Sequence, residues 1–270
     1  MNNGIRITRW GTIGVAAALG FTTFASAGAG AVSLAVRPTE LVLVGSSRGV
    51  FTLRNSTDSP VTLTAAVGNY KIKSNGTVVV NPKVPRKGSA KRWLSFSPKT
   101  LTLNAHKSGS LNVASHPAKH AGPGDHNALI LFTTGPKGKG KVLVRTRIAV
   151  AVLVRIKGKL KRKLVAQSLS ANHKKHRLTL TVYNKGNINE RLPKHNLTVT
   201  LKKGSRVVER ISAPPRDILP RSRSVYELHY RHGLKGKLTA LVTLRPVNGA
   251  PAGAFAPPLK QVRRTFHIHS

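Results

Sequence analysis

Between Val142 and Ile156 the chain alternates with a period of two. Val142, Val144, Ile148, Val150, Val152, Val154 and Ile156 share one face, and Leu143, Arg145, Arg147, Ala149, Ala151, Leu153 and Arg155 share the other. This is the pattern of a strand, whose successive side chains point to opposite sides of a sheet. At ~3.3 Å per residue the segment would span about 50 Å, longer than an ordinary strand, which predicts a bend or a strand shared between two sheets. The second face passes from arginine to alanine and leucine, so its later half is expected to be covered on both sides.

Shorter alternating runs recur, as in Leu178-Thr179-Leu180-Thr181-Val182 and Leu197-Thr198-Val199-Thr200-Leu201. No window carries a helical stripe. Turn residues interrupt at short intervals, among them Asn55 to Pro60, Ser74-Asn75-Gly76, Gly122-Pro123-Gly124-Asp125 and Lys185-Gly186-Asn187. Many short strands between turns define an all-β fold, and 270 residues hold two sandwiches of ~100 residues each. The chain is therefore read as two tandem immunoglobulin-like β-sandwiches. The first covers 32–156 and the second 164–247, with a basic linker at 157–163 and a Pro/Gly-rich tail at 248–270 that includes a possible last strand, Val262 to Ile268.

Residues 1–27 read as a signal peptide: Arg6 and Arg9, an apolar run from Gly11 to Ala25, and cleavage after Ala27 at Ala25-Ser26-Ala27. Ala29-Gly30-Ala31 is a second acceptable site. Arg6 and Arg9 do not form a twin-arginine pair, which points to the general secretion route. No later segment qualifies as a transmembrane helix, so a secreted or cell-envelope location is expected. There is no cysteine, which excludes disulfides, thiol nucleophiles and Cys-ligated metals, so the cores must hold unaided.

Lysine and arginine number 46 against 7 acidic residues. Without Arg6 and Arg9 the balance is 44 against 7, a net charge of +37. Such a field attracts polyanions, which outside a bacterial membrane means anionic cell-wall polymer or peptidoglycan, phospholipid headgroups or stray nucleic acid. The densest cluster, Lys157, Lys159, Lys161, Arg162 and Lys163, is the candidate polyanion-binding segment. Nucleic acid is a poorer match, because no aromatic residue is interleaved there for base stacking.

Two sets of passages resemble known bacterial proteins. The first is Phe51 to Thr57, Trp93-Leu94-Ser95-Phe96-Ser97-Pro98, Leu101-Thr102-Leu103 and Pro117 through Asp125. The second is Val182 to Asn187, Leu219-Pro220-Arg221-Ser222 before Tyr226, and Gly233 to Leu244. They resemble the peptidoglycan-binding domain and companion sandwich of WxL-interacting proteins and, more distantly, pilus-assembly chaperones. The chaperone resemblance implies that a pilus or surface subunit is captured by β-strand donation, with an arginine in the first strand and a lysine in the long strand anchoring its terminal carboxylate. Val150, Val152 and Val154 are the candidate donor residues and Arg37 the candidate carboxylate anchor. Ile148-Ala149-Val150-Ala151 holds no lysine. The WxL resemblance implies a terminal membrane helix with a basic tail, where this chain ends in Phe266-His267-Ile268-His269-Ser270. Asn55 and Asn184 have a physical reading of their own: each ends an alternating run, where an Asx side chain bonds nearby backbone.

The acidic residues Glu40, Asp58, Asp125, Glu190, Glu209, Asp217 and Glu227 are scattered, with Asp58 and Asp125 in turn sequences, so no paired-carboxylate hydrolase is expected. The histidine pairs 116/120, 173/176, 229/232 and 267/269 lie in strand or turn segments, where a spacing of three or four does not converge. His267, His269 and His229 are the one combination able to meet. No Gly-x-Ser-x-Gly elbow or phosphate loop is present. The expectation is a non-enzymatic envelope protein with no cofactor or metal, docking to anionic wall polymer and a surface protein; the alternative is an assembly chaperone, and a weaker one a nucleic-acid binder.

Overall fold

Among the described residues, alternation between buried and exposed positions organises twenty strands. A computed structural model describes residues 33–81, 83–84, 88–136, 145–234, 236–245, 247 and 261–268. The leader, and Val142 to Val144 of the long run, lie outside them. In order the strands are β1 (Leu34–Arg37), β2 (Glu40–Val44), β3 (Arg48–Asn55), β4 (Val61–Gly68), β5 (Tyr70–Ile72), β6 (Val78–Val80), β7 (Leu94–Ser97), β8 (Thr100–Leu103), β9 (Ser108–Ser115) and β10 (Gly124–Thr134). They continue as β11 (Arg147–Ile156), β12 (Leu164–Asn172), β13 (Arg177–Asn184), β14 (Glu190–Leu192), β15 (Leu197–Lys203), β16 (Arg206–Ser212), β17 (Arg216–Ile218), β18 (Arg223–His229), β19 (Leu238–Leu244) and β20 (Val262–Ile268). The fold is all-β and sandwich-like, as the alternation implies. The segment read as a tail contributes β20, paired to β19 from Leu238↔Ile268 to Leu244↔Val262.

The chain divides into two compact units. The first takes the residues up to Gly68, then Lys91–His116 and Ala128–Leu153; the second takes Asn69–Ala90, Pro117–Asn127 and everything from Val154. In the first unit a four-stranded sheet, β1-β3-β9-β7, faces a five-stranded one, β2-β11-β10-β4-β8. Their inner faces supply Phe51, Leu53, Leu111 and Val113 from one side and Leu43, Leu63, Ile130, Phe132 and Val152 from the other, all buried. Phe51 and Phe132 meet edge to face across the core, with centroids 6.2 Å apart. Gly49 lets the leucines of β2 reach over β3, since a Cβ there would lie 2.6 Å from Leu41 Cδ1.

The second unit repeats the plan with β12-β13-β18 against β16-β15-β19-β20, plus the pair β14-β17 and the hairpin β5-β6. Leu178, Leu180, Val182, Val199, Leu201, Tyr226, Ala240 and Val242 form its core. The hairpin turn caps the edge of β18: Val225 N–H donates to the Ser74 carbonyl at 2.7 Å, and Arg216 donates to the same carbonyl at 3.0 Å.

Both units close the same corner in the same way. Asn55 and Asn184 are fully buried at the ends of β3 and β13. Asn55 Oδ1 accepts from Thr57 N–H at 3.0 Å, and its Nδ2 donates to Ser59 O at 2.8 Å and Leu103 O at 3.2 Å. Asn184 Oδ1 accepts from Gly186 N–H at 2.9 Å, and its Nδ2 donates to Ile188 O at 2.7 Å and Ile218 O at 3.0 Å. Offsets of two and four residues plus a remote carbonyl recur in each, and Asn55 Nδ2 also reaches a second remote carbonyl, Asn104 O, at 3.1 Å. The Asx expectation holds locally, and the remote bond adds a clamp onto a second segment.

Arg216 also lies over the Tyr226 ring, 4.5 Å from its centroid. Burial pushes the Tyr226 phenol up to about 12, while the Arg216 charge acts in the opposite direction. The unfolded chain releases that proton near pH 10 and the folded one near 12, so the stabilisation is complete below pH 10 and is lost as pH rises to 12. Calorimetry of wild type and Tyr226→Phe between those limits is expected to show a steeper loss in the wild type, by about 2 kcal/mol at the upper end. Parallel curves for the two proteins contradict the assignment.

Candidate functional site

The strand that attracts a functional reading is β11, and its surroundings define what it offers. It lies between β2 and β10 in its sheet. From Val150 to Arg155 every residue is buried, so both faces are covered. Val150, Val152 and Val154, the residues expected to be donated, are 4%, 0% and 0% exposed and belong to the interior. Flanking strands and facing side chains already satisfy them, which corrects the donor assignment. What β11 presents is its start: Arg147 is exposed, and Ile148 and Ala149 are half-buried.

Arg37 is the last residue of β1, exposed and opposite Thr52 of β3. After it the chain crosses from one sheet to the other and enters β2 at Glu40, beside β11. The guanidinium therefore stands at the corner leading to the strand that flanks β11. The basic residues of β11 itself are Arg147 and Arg155, with no lysine among them.

Arg155 was not anticipated. Reading it as the outward partner of Arg145 and Arg147 fails, because it is fully buried and forms a two-pronged ion pair with Asp125: Nε to Oδ1 at 2.7 Å and Nη2 to Oδ2 at 2.8 Å. Asp125 is the second residue of β10 rather than part of an exposed turn, and it also accepts from Asn189 N–H at 2.7 Å. Gly124 makes the approach possible: its φ is +122°, and a Cβ there would sit 2.3 Å from Asn187 O.

The basic connector is partly occupied as well. Arg162 pairs with buried Glu190, Nε to Oε1 at 2.9 Å and Nη2 to Oε2 at 2.7 Å, and donates to Val247 O. Its charge is already neutralised. Lys157, Lys159, Lys161 and Lys163 remain exposed.

The other acids are engaged too. Asp217 pairs with Arg191 at 2.9 Å, Glu227 with Arg177 at 3.2 Å and Asp58 with His106 at 2.8 Å, and Glu209 accepts from Arg231 N–H at 3.1 Å. His176 and His232 stack at 3.9 Å, and His173 Nδ1 bonds the Tyr230 hydroxyl at 3.1 Å. His229 and His267 are exposed on strands of different sheets, and His269 lies outside the described residues. Among the described residues no cluster of three or more His, Asp or Glu is arranged to hold a metal, and no helix is long and apolar enough to cross a membrane.

No family model matches the sequence, and no curated protein matches it. Solved structures do share the fold. A chain of the chaperone–tip adhesin complex of CFA/I fimbriae biogenesis aligns with a TM-score of 0.52 at 11% identity, covering 87% of this chain and 98% of that one. The YadV chaperone gives 0.50 at 12% identity over 87% and 98%, and the class 5 fimbriae chaperone CfaA gives 0.50 at 12% over 86% and 98%. The fold of this chain thus matches that of pilus-assembly chaperones across both units. A likeness to WxL-interacting proteins does not emerge.

Proposed function

We propose that this protein is a non-enzymatic, exported chaperone that captures a pilus or other surface subunit outside the cytoplasmic membrane. The observation that carries this reading is the two-unit architecture shared with fimbrial chaperones over 87% of the chain, at identities that leave only the fold in common. The geometry narrows how capture would work. Backbone pairing would begin at the start of β11, where Ile148 and Ala149 are half-covered, with Arg37 placed for a subunit carboxylate. Without a lysine partner in β11, a single arginine fork takes the anchoring role.

The absence of cysteine gives a clean test. Ile148→Cys, carrying a photo-crosslinker, is expressed with its own leader alongside a surface subunit of the same cell. Expected are a one-to-one crosslinked complex and its loss by at least about tenfold, ~1.4 kcal/mol, when Ala149→Asp or Arg37→Glu is added to the same cysteine variant. Equal yields from the two variants and the parent would overturn strand donation at this site.

A further inference from the structure

The four-stranded sheet of the second unit turns one side inward, and on the other side the described residues range from exposed Arg210 and Arg263 through half-buried Thr200 and Leu241 to buried Thr243. Leu197, Val199 and Leu201 of β15, with Ala240 and Val242 of β19, face the core. The intervening residues point out. By register, Arg210 lies beside Thr200, Thr200 beside Leu241, and Leu241 beside Thr265, a row across all four strands. With neighbouring strands about 4.8 Å apart, the row is ~14 Å wide. One row away Thr198 and Arg263 flank Thr243, and on the other side Lys202 lies beside Thr239.

This face therefore carries cations on β16, β15 and β20, with threonine hydroxyls between them and no carboxylate. Glu209 has the opposite parity, paired with inward-facing Leu201. Phe266 is likewise opposite buried Ala240, so among the described residues the imidazole of exposed His267, beside Thr239, is the outward ring on this face. Among the described residues, the ion pairs involve neither Lys202, Arg210 nor Arg263.

We propose that this face binds a phosphodiester polymer of the cell envelope. Arginine forks match phosphate oxygens, and hydroxyls donate to phosphate and accept from polyol groups. With His267 as its one outward ring among the described residues, the face lacks the interleaved Phe, Tyr or Trp on which single-stranded nucleic acid and neutral sugar rings stack. With half-buried Leu241 as the apolar side chain at its centre, the face offers nothing to insert into a bilayer. The site is independent of subunit capture at β11 and places anion docking on a sheet face instead of the connector.

The test compares two triple variants, each lacking three positive charges. One removes the face (Lys202→Gln, Arg210→Gln, Arg263→Gln) and the other the connector lysines (Lys159→Gln, Lys161→Gln, Lys163→Gln). Mature protein is titrated against purified poly(glycerol phosphate), with mixed-sequence single-stranded DNA and phosphatidylglycerol vesicles as parallel probes, over a salt series. The face triple is expected to weaken polymer binding at least about tenfold and to flatten the salt slope by ~2, while the connector triple stays within about twofold. Arg210→Glu alone, at an exposed strand position, is expected to act in the same direction should the triple fold poorly. Equal losses from the two triples overturn the proposal, because bulk charge then suffices. Tighter binding to DNA or vesicles than to the polymer overturns it as well.

Discussion

Asp125→Ala is expected to destabilise the second unit by about 3–5 kcal/mol, lowering its melting temperature by roughly 6–20 °C. The pair it breaks is wholly buried, with both side chains at 0% exposure. Coulomb attraction is not the reason for so large an effect. Removing the carboxylate leaves the Arg155 guanidinium in a site without water and Asn189 N–H without its acceptor. Replacing both partners by apolar residues, Asp125→Leu with Arg155→Met, is expected to recover most of the loss, since neither charge then needs solvating. Scanning calorimetry separates the outcomes. A double variant as unstable as the single one contradicts the account, as does a single variant within 1 °C of wild type.

Asn184→Ala is the second large effect, at about 2–4 kcal/mol by urea denaturation, with Asn55→Ala comparable. Alanine deletes a donor shared by two carbonyls and an acceptor for one N–H, all in dry surroundings. The near-isosteric Asn184→Asp makes the assignment sharper. A carboxylate oxygen would face the Ile188 and Ile218 carbonyls where an amide now donates, so aspartate is expected to cost at least as much as alanine. If shape alone mattered, aspartate would be tolerated, and that ranking would refute the hydrogen-bond explanation.

These two cases also mark what could be read from the chain. Asn184 was legible because an Asx turn is local: strand end, asparagine and glycine sit within three residues. Arg155 was not, because alternation assigns it the side of Arg147, and only Asp125, thirty positions away, makes that side an interior one. The burial of the three valines was legible too, since the turn to alanine and leucine on the second face implied cover on both sides of the later half of the run. Charge density pointed to Lys157 through Lys163, yet density does not reveal that Arg162 answers Glu190. The sheet face with Arg210 and Arg263 is invisible in one dimension, being assembled from strands more than fifty residues apart.

The pairing of acids with arginines has one further consequence, for how such a chain tolerates mutation. Asp125 and Glu190 each hold a buried guanidinium, so their negative charge is fixed to particular addresses. Lys159, Lys161 and Lys163 stand exposed at the surface instead. Substitution can move, add or delete them at little cost to folding. Over time the positive charge of this protein is free to wander across its surface, while its few internal acids stay pinned.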